Sequence, residues 1–388
     1  MTWLRPLLAR LWYWTDVVGA KILLIISEII ARAIPALRRM WRQLRDRVAA
    51  LKPGTIRKLA IAGGVALLGL YAASFRDKAW HWYDTFQGNR PLMAAQSWTY
   101  HLDKIDADKI AQSTADVLVI DTAKNEGRVP LTKAEVAKLK LKPDGKPRLV
   151  LSYMSIGEAE TYRWYWRDYW KGDDMPGWQV AENCAWPRAH MVKFWHDGWK
   201  DIIYAGRQTY IKRIIDAGFD GVYLDNVDVY HRHIQERPSA REDMIDFVRD
   251  LAAVARKMKP GLLVVAQNAE DLLEERRYRD IIDGVGKEDL LFGKSGTGVR
   301  NSEKDIAQSL ERLQLLQADY KPVFAVEYLT TKDAIAGSTK ELNSFGMVPT
   351  FQNRSLDGGD PTVPRAEEKQ KYGTPEWIAA NCKDKPHW

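Results

Sequence analysis

From about residue 94 the chain alternates short apolar runs with stretches of helical periodicity. The runs predict eight strands, at 97–101, 116–121, 148–154, 220–225, 262–267, 281–286, 322–327 and 347–351. Between them, 205–217, 241–258 and 303–317 repeat apolar residues at the three- and four-residue spacing of amphipathic helices. Apolar runs that alternate with helices indicate a parallel sheet covered on both faces. Eight such units within residues 94–388 predict an α/β protein with a closed (β/α)8 (TIM) barrel rather than an open doubly wound sheet. No Gly-rich phosphate loop follows the first strand, which argues against dinucleotide binding.

Four of these runs stop on an acid: VLVID at Asp121, GVYLD at Asp225, GVGKE at Glu288 and VFAVE at Glu327. Barrel strands deliver their C-terminal residues to one rim, so this recurrence predicts a mouth lined with carboxylates. The third unit is enlarged. Residues 155–219 exceed what one crossover helix needs, and they carry YRWYWRDYW at 162–170 followed by Trp178, Trp186, Trp195 and Trp199. The expectation is an aromatic lid over the mouth, although packing between helices competes for the same side chains.

The front of the chain has a different grammar. Residues 59–75, LAIAGGVALLGLYAASF, carry no charge and are short for a bilayer span. They follow a block at 38–58 holding Arg38, Arg39, Arg42, Arg45, Arg47, Lys52, Arg57 and Lys58 against one acid, Asp46. This arrangement predicts a membrane anchor with a cytoplasmic N-terminus and the barrel on the periplasmic or extracellular side. Ala72-Ala73-Ser74 would permit cleavage and secretion. An apolar stretch at 17–37, with Lys21, Glu28 and Arg32 on one helical face, predicts an interfacial helix. The expected organisation is therefore an extension at 1–58, an anchor at 59–75, a linker at 76–93 and the barrel at 94–388.

The formal charge of +7 is concentrated in that basic block, so no nucleic-acid partner is expected. Sixteen tryptophans suit the flat faces of sugar rings. Cys184 and Cys382 show no metal-ligand spacing, and whether they pair is open from sequence.

Glycoside hydrolysis needs two carboxyl groups flanking the scissile bond, one protonated and one ionised. Asp225 and Glu288, closing the fourth and sixth strands, would face each other across the mouth and are the candidate catalytic pair. Asp228 lies just beyond in the loop, and Asp121, Glu158 and Glu327 add carboxylates near the rim. Asp225, Asp228 and Glu288 would also suit a divalent cation, which makes a metal-dependent hydrolase an alternative. His231 and His233 lack the spacing of a helical zinc site. No metal and no cofactor is expected, and no serine or cysteine occupies a nucleophile elbow.

YMSIGEAETYRWYW, GFDGVYLDNVDVY, QNAEDLL and KPVFAVEY resemble, in order, the motifs of glycoside hydrolase family 114. The similarity spans most of residues 95–352. It implies a (β/α)8 barrel and an activity like that of endo-α-1,4-polygalactosaminidases, acting on an amino-sugar-rich exopolysaccharide. The family's fourth-strand acid matches Asp225, the second acid of DNVD matches Asp228, the later strand-end glutamate matches Glu288 and the VEY glutamate matches Glu327. Tyr153, Glu158, Trp164, Asn268 and Tyr328 lie within these motifs and, with Asp121, Asp228 and Glu327, are expected to bind substrate. Val229 stands where the polygalactosaminidases carry glycine, and Glu288-Asp289-Leu290-Leu291 replaces a cysteine-containing segment, so the motifs speak to chemistry rather than to the polymer. A non-catalytic carbohydrate-binding barrel in polysaccharide assembly is the alternative. The family's older association with cysteinyl-tRNA synthetase finds no HIGH-like or KMSKS-like signature here.

Overall fold

The computed structural model describes residues 91–125, 127–363 and 372–382. The expected extension, the apolar run at 59–75 and the linker, save for 91–93, lie outside them. Among the described residues no helix is long and apolar enough to cross a membrane.

Eight strands form one parallel sheet in sequence order: β1 (Trp98–His101), β2 (Val117–Ile120), β3 (Leu149–Ser155), β4 (Gly221–Asp225), β5 (Leu263–Gln267), β6 (Gly284–Glu288), β7 (Val323–Glu327) and β8 (Val348–Phe351). The expected barrel is nearly closed. β8 and β1 are the two edges of the ladder, and side chains bridge them: Trp98 Nε1–H donates to the Val348 carbonyl at 2.9 Å and Gln352 Nε2–H to Thr99 Oγ1 at 3.1 Å. β6 starts three residues later than its apolar pattern predicts. Residues Arg276–Ile281 are helical, and just beyond them the Asp283 carboxylate accepts from Val264 N at 2.7 Å and Arg256 at 2.8 Å.

Alternation along each strand divides the core into two layers. Trp98, Tyr100, Val119, Leu151, Tyr153, Tyr223, Val265, Phe324 and Val326 fill the barrel interior. Leu118, Ile120, Val150, Val222, Leu224, Val264 and Ala325 face the surrounding helices. Gly286 is required by this filling: a Cβ there would lie 1.8 Å from the Tyr223 hydroxyl. Three covering helices follow the expected periodicity, at Tyr210–Ala217, Ala240–Met258 and Glu303–Ala318, and another lies at Lys332–Ser344. Thr209, Ser302 and Thr331 cap three of them through side-chain oxygens. Gly218 ends Tyr210–Ala217 with φ 97°, a left-handed turn that glycine adopts without strain.

The enlarged third unit builds a small antiparallel sheet from Glu158–Glu160, Ala189–Val192 and Gln179–Glu182. Its aromatics mostly pack on one another and on the barrel's outer layer, in place of the open lid surface expected. Trp178 and Trp199 are buried with ring centroids 5.0 Å apart, and Trp164, Trp166, Trp170 and Trp195 pack against the same core. Tyr169 and Trp186 remain exposed. A disulfide joins Cys184 to Cys382, tying this insertion to the C-terminal helix Pro375–Asn381.

Candidate active site

Asp225 and Glu288 occupy the inward positions at the C-terminal ends of β4 and β6. The parity is set below them: Tyr223 and Gly286, two residues earlier, are the inward pair that interlock in the barrel. The chain then turns sharply after three consecutive strands. Asn226, Asn268 and Asp289 take left-handed φ values of 55°, 53° and 50°, a conformation that Asn and Asp tolerate best among residues with a Cβ.

Asp225 accepts from the Tyr153 hydroxyl at 2.6 Å and from the Asn226 amide at 2.7 Å. These bonds favour its ionised form, but burial and the nearby Glu288 outweigh them and push its carboxyl up to about 7. Glu288 is ringed by donors. Gln267 Nε2–H and the Tyr328 hydroxyl donate one to each oxygen, and Asn268 Nδ2–H approaches Oε2 at 3.4 Å. The Glu288 amide donates back to Asn268 Oδ1 at 3.1 Å. Tyr100 fixes the Gln267 amide by donating to its Oε1 at 3.0 Å, so the amide hydrogens point to Glu288. The arrangement places one carboxyl that keeps its proton to neutrality beside a second held by three donors, which is the equipment of general acid–base or nucleophilic chemistry.

The other expected site residues divide into three groups. Tyr153, Asn268 and Tyr328 join the pair directly, as described. Glu158 stands one step away: its oxygens accept from Asn183 at 2.7 Å and from Asn226 at 3.3 Å, so it steadies the turn that follows Asp225. Gly157 allows that approach, since a Cβ there would meet the Asn226 carbonyl at 2.2 Å and the Val229 side chain at 2.8 Å. Asp228 sits on the turn Val227–Val229, near Glu270, His231 and Lys287, and burial raises its carboxyl above the usual range. Lys287 is itself paired with Glu270 at 2.9 Å.

Three residues serve the frame instead. Asp121 receives Arg163 Nη1–H at 2.7 Å, and Arg163 Nε–H donates to Glu160 at 2.6 Å, a buried triad that fastens the insertion to the end of β2. Glu327 has the wrong parity for the mouth. It shares its face of β7 with Val323 and Ala325, is fully buried, and accepts from the Leu291 and Phe292 amides at 2.7 and 3.3 Å. Burial pushes its carboxyl up to about 7. Trp164 stacks under the Arg213 guanidinium, 3.8 Å from its ring, and lines a cavity whose walls include neither Asp225 nor Glu288. The structure adds Gln267, Asp289 and Arg354 to the expected residues around the pair. Gln267 was findable, because alternation from Leu263 and Val265 turns it inward; Arg354, from the loop after β8, had no such signal. Among the described residues no three His, Cys, Asp or Glu side chains are grouped to hold a metal ion.

Residues 82–367 match the profile of glycoside-hydrolase family GH114. The chain belongs to this family. It is a glycoside hydrolase with the family's barrel. An uncharacterised protein of Thermotoga maritima is 32% identical over 71% of this chain and 82% of its own length. An uncharacterised protein of Deinococcus radiodurans is 31% identical over 69% of this chain and 83% of its own. Among solved structures, the glycoside hydrolase domain of PelA from Pseudomonas aeruginosa has the same fold, with a TM-score of 0.53 at 19% identity over 68% of this chain and 97% of that one.

Proposed function

We propose that this glycosidase cleaves an amino-sugar-rich exopolysaccharide internally, as endo-α-1,4-polygalactosaminidases do, with Asp225 and Glu288 as its two working carboxyl groups. The observation that carries the reading is the contrast between them: Asp225 retains its proton to about pH 7, while three donors converge on Glu288. One group can then protonate the leaving oxygen while the other acts as nucleophile or base. Tyr153, Asn268 and Tyr328 are the further side chains placed to meet substrate.

The test is release of new reducing ends from partially deacetylated galactosaminan. Asp225→Asn and Glu288→Gln are each expected to slow it by about 100- to 10,000-fold. Wild-type rates in both variants would remove the pair from the mechanism, and binding without product would indicate a lectin. Substrates with activated leaving groups assign the roles, because they restore turnover only where the lost group was the acid.

We further propose that the barrel works outside the cytoplasm, held by the apolar run at 59–75 or released after its cleavage. The basic block before that run and the Cys184–Cys382 disulfide both support this, since disulfides persist in oxidising compartments. Alkaline phosphatase fused after residue 80 is expected to be active in a bacterial host. An inactive fusion, with an active one obtained before residue 59, would reverse the topology.

A further inference from the structure

The loop after β8 reaches the site through one side chain. The loop is anchored to the end of β1: the Leu102 amide donates to the Leu356 carbonyl at 2.7 Å, and Lys104 pairs with Asp357 at 3.1 Å. Within it, Asn353 Nδ2–H donates to Asp357 at 2.9 Å and to the Gly359 carbonyl at 3.2 Å. From this base Arg354 spreads its guanidinium 4.4 Å from the centre of the Tyr328 ring. Its Nη2 donates to both oxygens of Asp289, at 2.9 and 3.1 Å. Gly293 makes room for the pair, because a Cβ there would lie 2.3 Å from Asp289 Oδ1 and 3.1 Å from Arg354 Nη2. One arginine thus bridges the two loops that carry the Tyr328 hydroxyl and the residue following Glu288.

We propose that Arg354 is a positioning residue for Glu288: it holds the ring whose hydroxyl donates to Glu288 and neutralises Asp289, the neighbouring charge. This rests on the reading of Glu288 as one of the catalytic pair. Its physical basis is twofold. A guanidinium lying over an aromatic face restricts the ring's tilt, and the contact of its Nη2 with both Asp289 oxygens holds the guanidinium in turn. Burial and Glu288 hold the Asp289 carboxyl up at about 6, so without Arg354 that site gains a proton or an uncompensated charge near neutrality.

The titratable groups that face Glu288 across the mouth are Asp225 and Tyr223 from β4, Tyr100 from β1 and Tyr328 after β7. Lys287 and Asp289 flank it in the chain, and Lys287 is committed to Glu270. Arg354 and Asp289 are therefore the charges to vary. Arg354→Met is expected to lower kcat about 10- to 100-fold with KM little changed. It is also expected to move one limb of the pH–rate profile upward by about one unit, since removing the guanidinium leaves the Asp289 carboxylate beside the site uncompensated. The leaving-group comparison identifies that limb. Asp289→Asn alone should move it downward, and the double variant should bring it back towards wild type. Arg354→Lys should keep the limb in place while kcat stays depressed, because lysine retains the charge but not the flat guanidinium over the Tyr328 ring.

A limb that stays put in Arg354→Met, or that Asp289→Asn fails to bring back, overturns the inference and leaves a merely structural arginine. Glu288→Gln measured in parallel separates the two levels. Wild-type cleavage there defeats the catalytic reading itself, whereas an inactive Glu288→Gln beside a normal Arg354→Met defeats only the role of Arg354.

Discussion

Asp225 holds its proton because its surroundings penalise charge more than the Tyr153 hydroxyl and the Asn226 amide reward it. An acid raised from 3.8 to about 7 on folding binds its proton more tightly in the folded than in the unfolded chain. Its stabilising contribution is complete below the unfolded value and is lost as pH rises through the folded one, so the ionised enzyme is the less stable one. Asp225→Asn removes this dependence while keeping an acceptor for Tyr153. The variant should match wild type near pH 4 and exceed it by roughly 2–4 kcal/mol above pH 8, with activity lost. Thermal melts across that range provide the measurement, and equal melting temperatures at both ends would show that burial does not penalise this carboxylate.

At the level of elements, the alternation of side chains along each strand decides which strand-end acid can act. On β4 and β6 the inward parity ends on Asp225 and Glu288, whereas on β7 it passes through Phe324 and Val326 to Tyr328 and leaves Glu327 outside. Glu327 therefore organises the loop after β6 by accepting the Leu291 and Phe292 amides. Glu327→Ala strands the buried Leu291 amide and frees the half-buried Phe292 amide, and is expected to cost about 1–3 kcal/mol in chemical denaturation. It should lower activity by loosening the segment behind Glu288 without abolishing it. Complete inactivation of a variant with normal stability would instead give Glu327 a direct part in the reaction.

On the scale of the whole molecule, two cross-links add to the packing of the insertion between β3 and β4. The Asp121–Arg163–Glu160 triad fastens its start, and the Cys184–Cys382 disulfide fastens its tip to the C-terminal helix. The disulfide closes a loop across a sequence separation of 198 residues. Paired Cys184→Ser and Cys382→Ser substitutions are expected to lower stability by about 2–4 kcal/mol, read by denaturant titration in oxidising buffer. The same titration under reductant should bring wild type to the level of the double variant. If reductant leaves wild type unchanged, the cross-link contributes nothing.

The sequence by itself determined the eight strands, most of the covering helices and the family, because local apolar periodicity and four ordered motifs are properties of short segments. It also marked Asp225 and Glu288, since an apolar run that stops on an acid is visible without knowing its neighbours. The late start of β6 was not legible, because the Asp283 carboxylate just before it is held by Arg256 and the Val264 amide, from other elements. Nor was the fate of the aromatic insertion. Its tryptophans have the composition of a sugar-binding surface, and only their mutual packing shows that most of them form a core. The tertiary structure alone chose among the acids, assigned Glu327 to the frame and brought Arg354 to Tyr328 and Asp289. Alternation gives each strand its two faces, but which face lines the mouth, and which loops meet there, depends on contacts between residues remote in the chain.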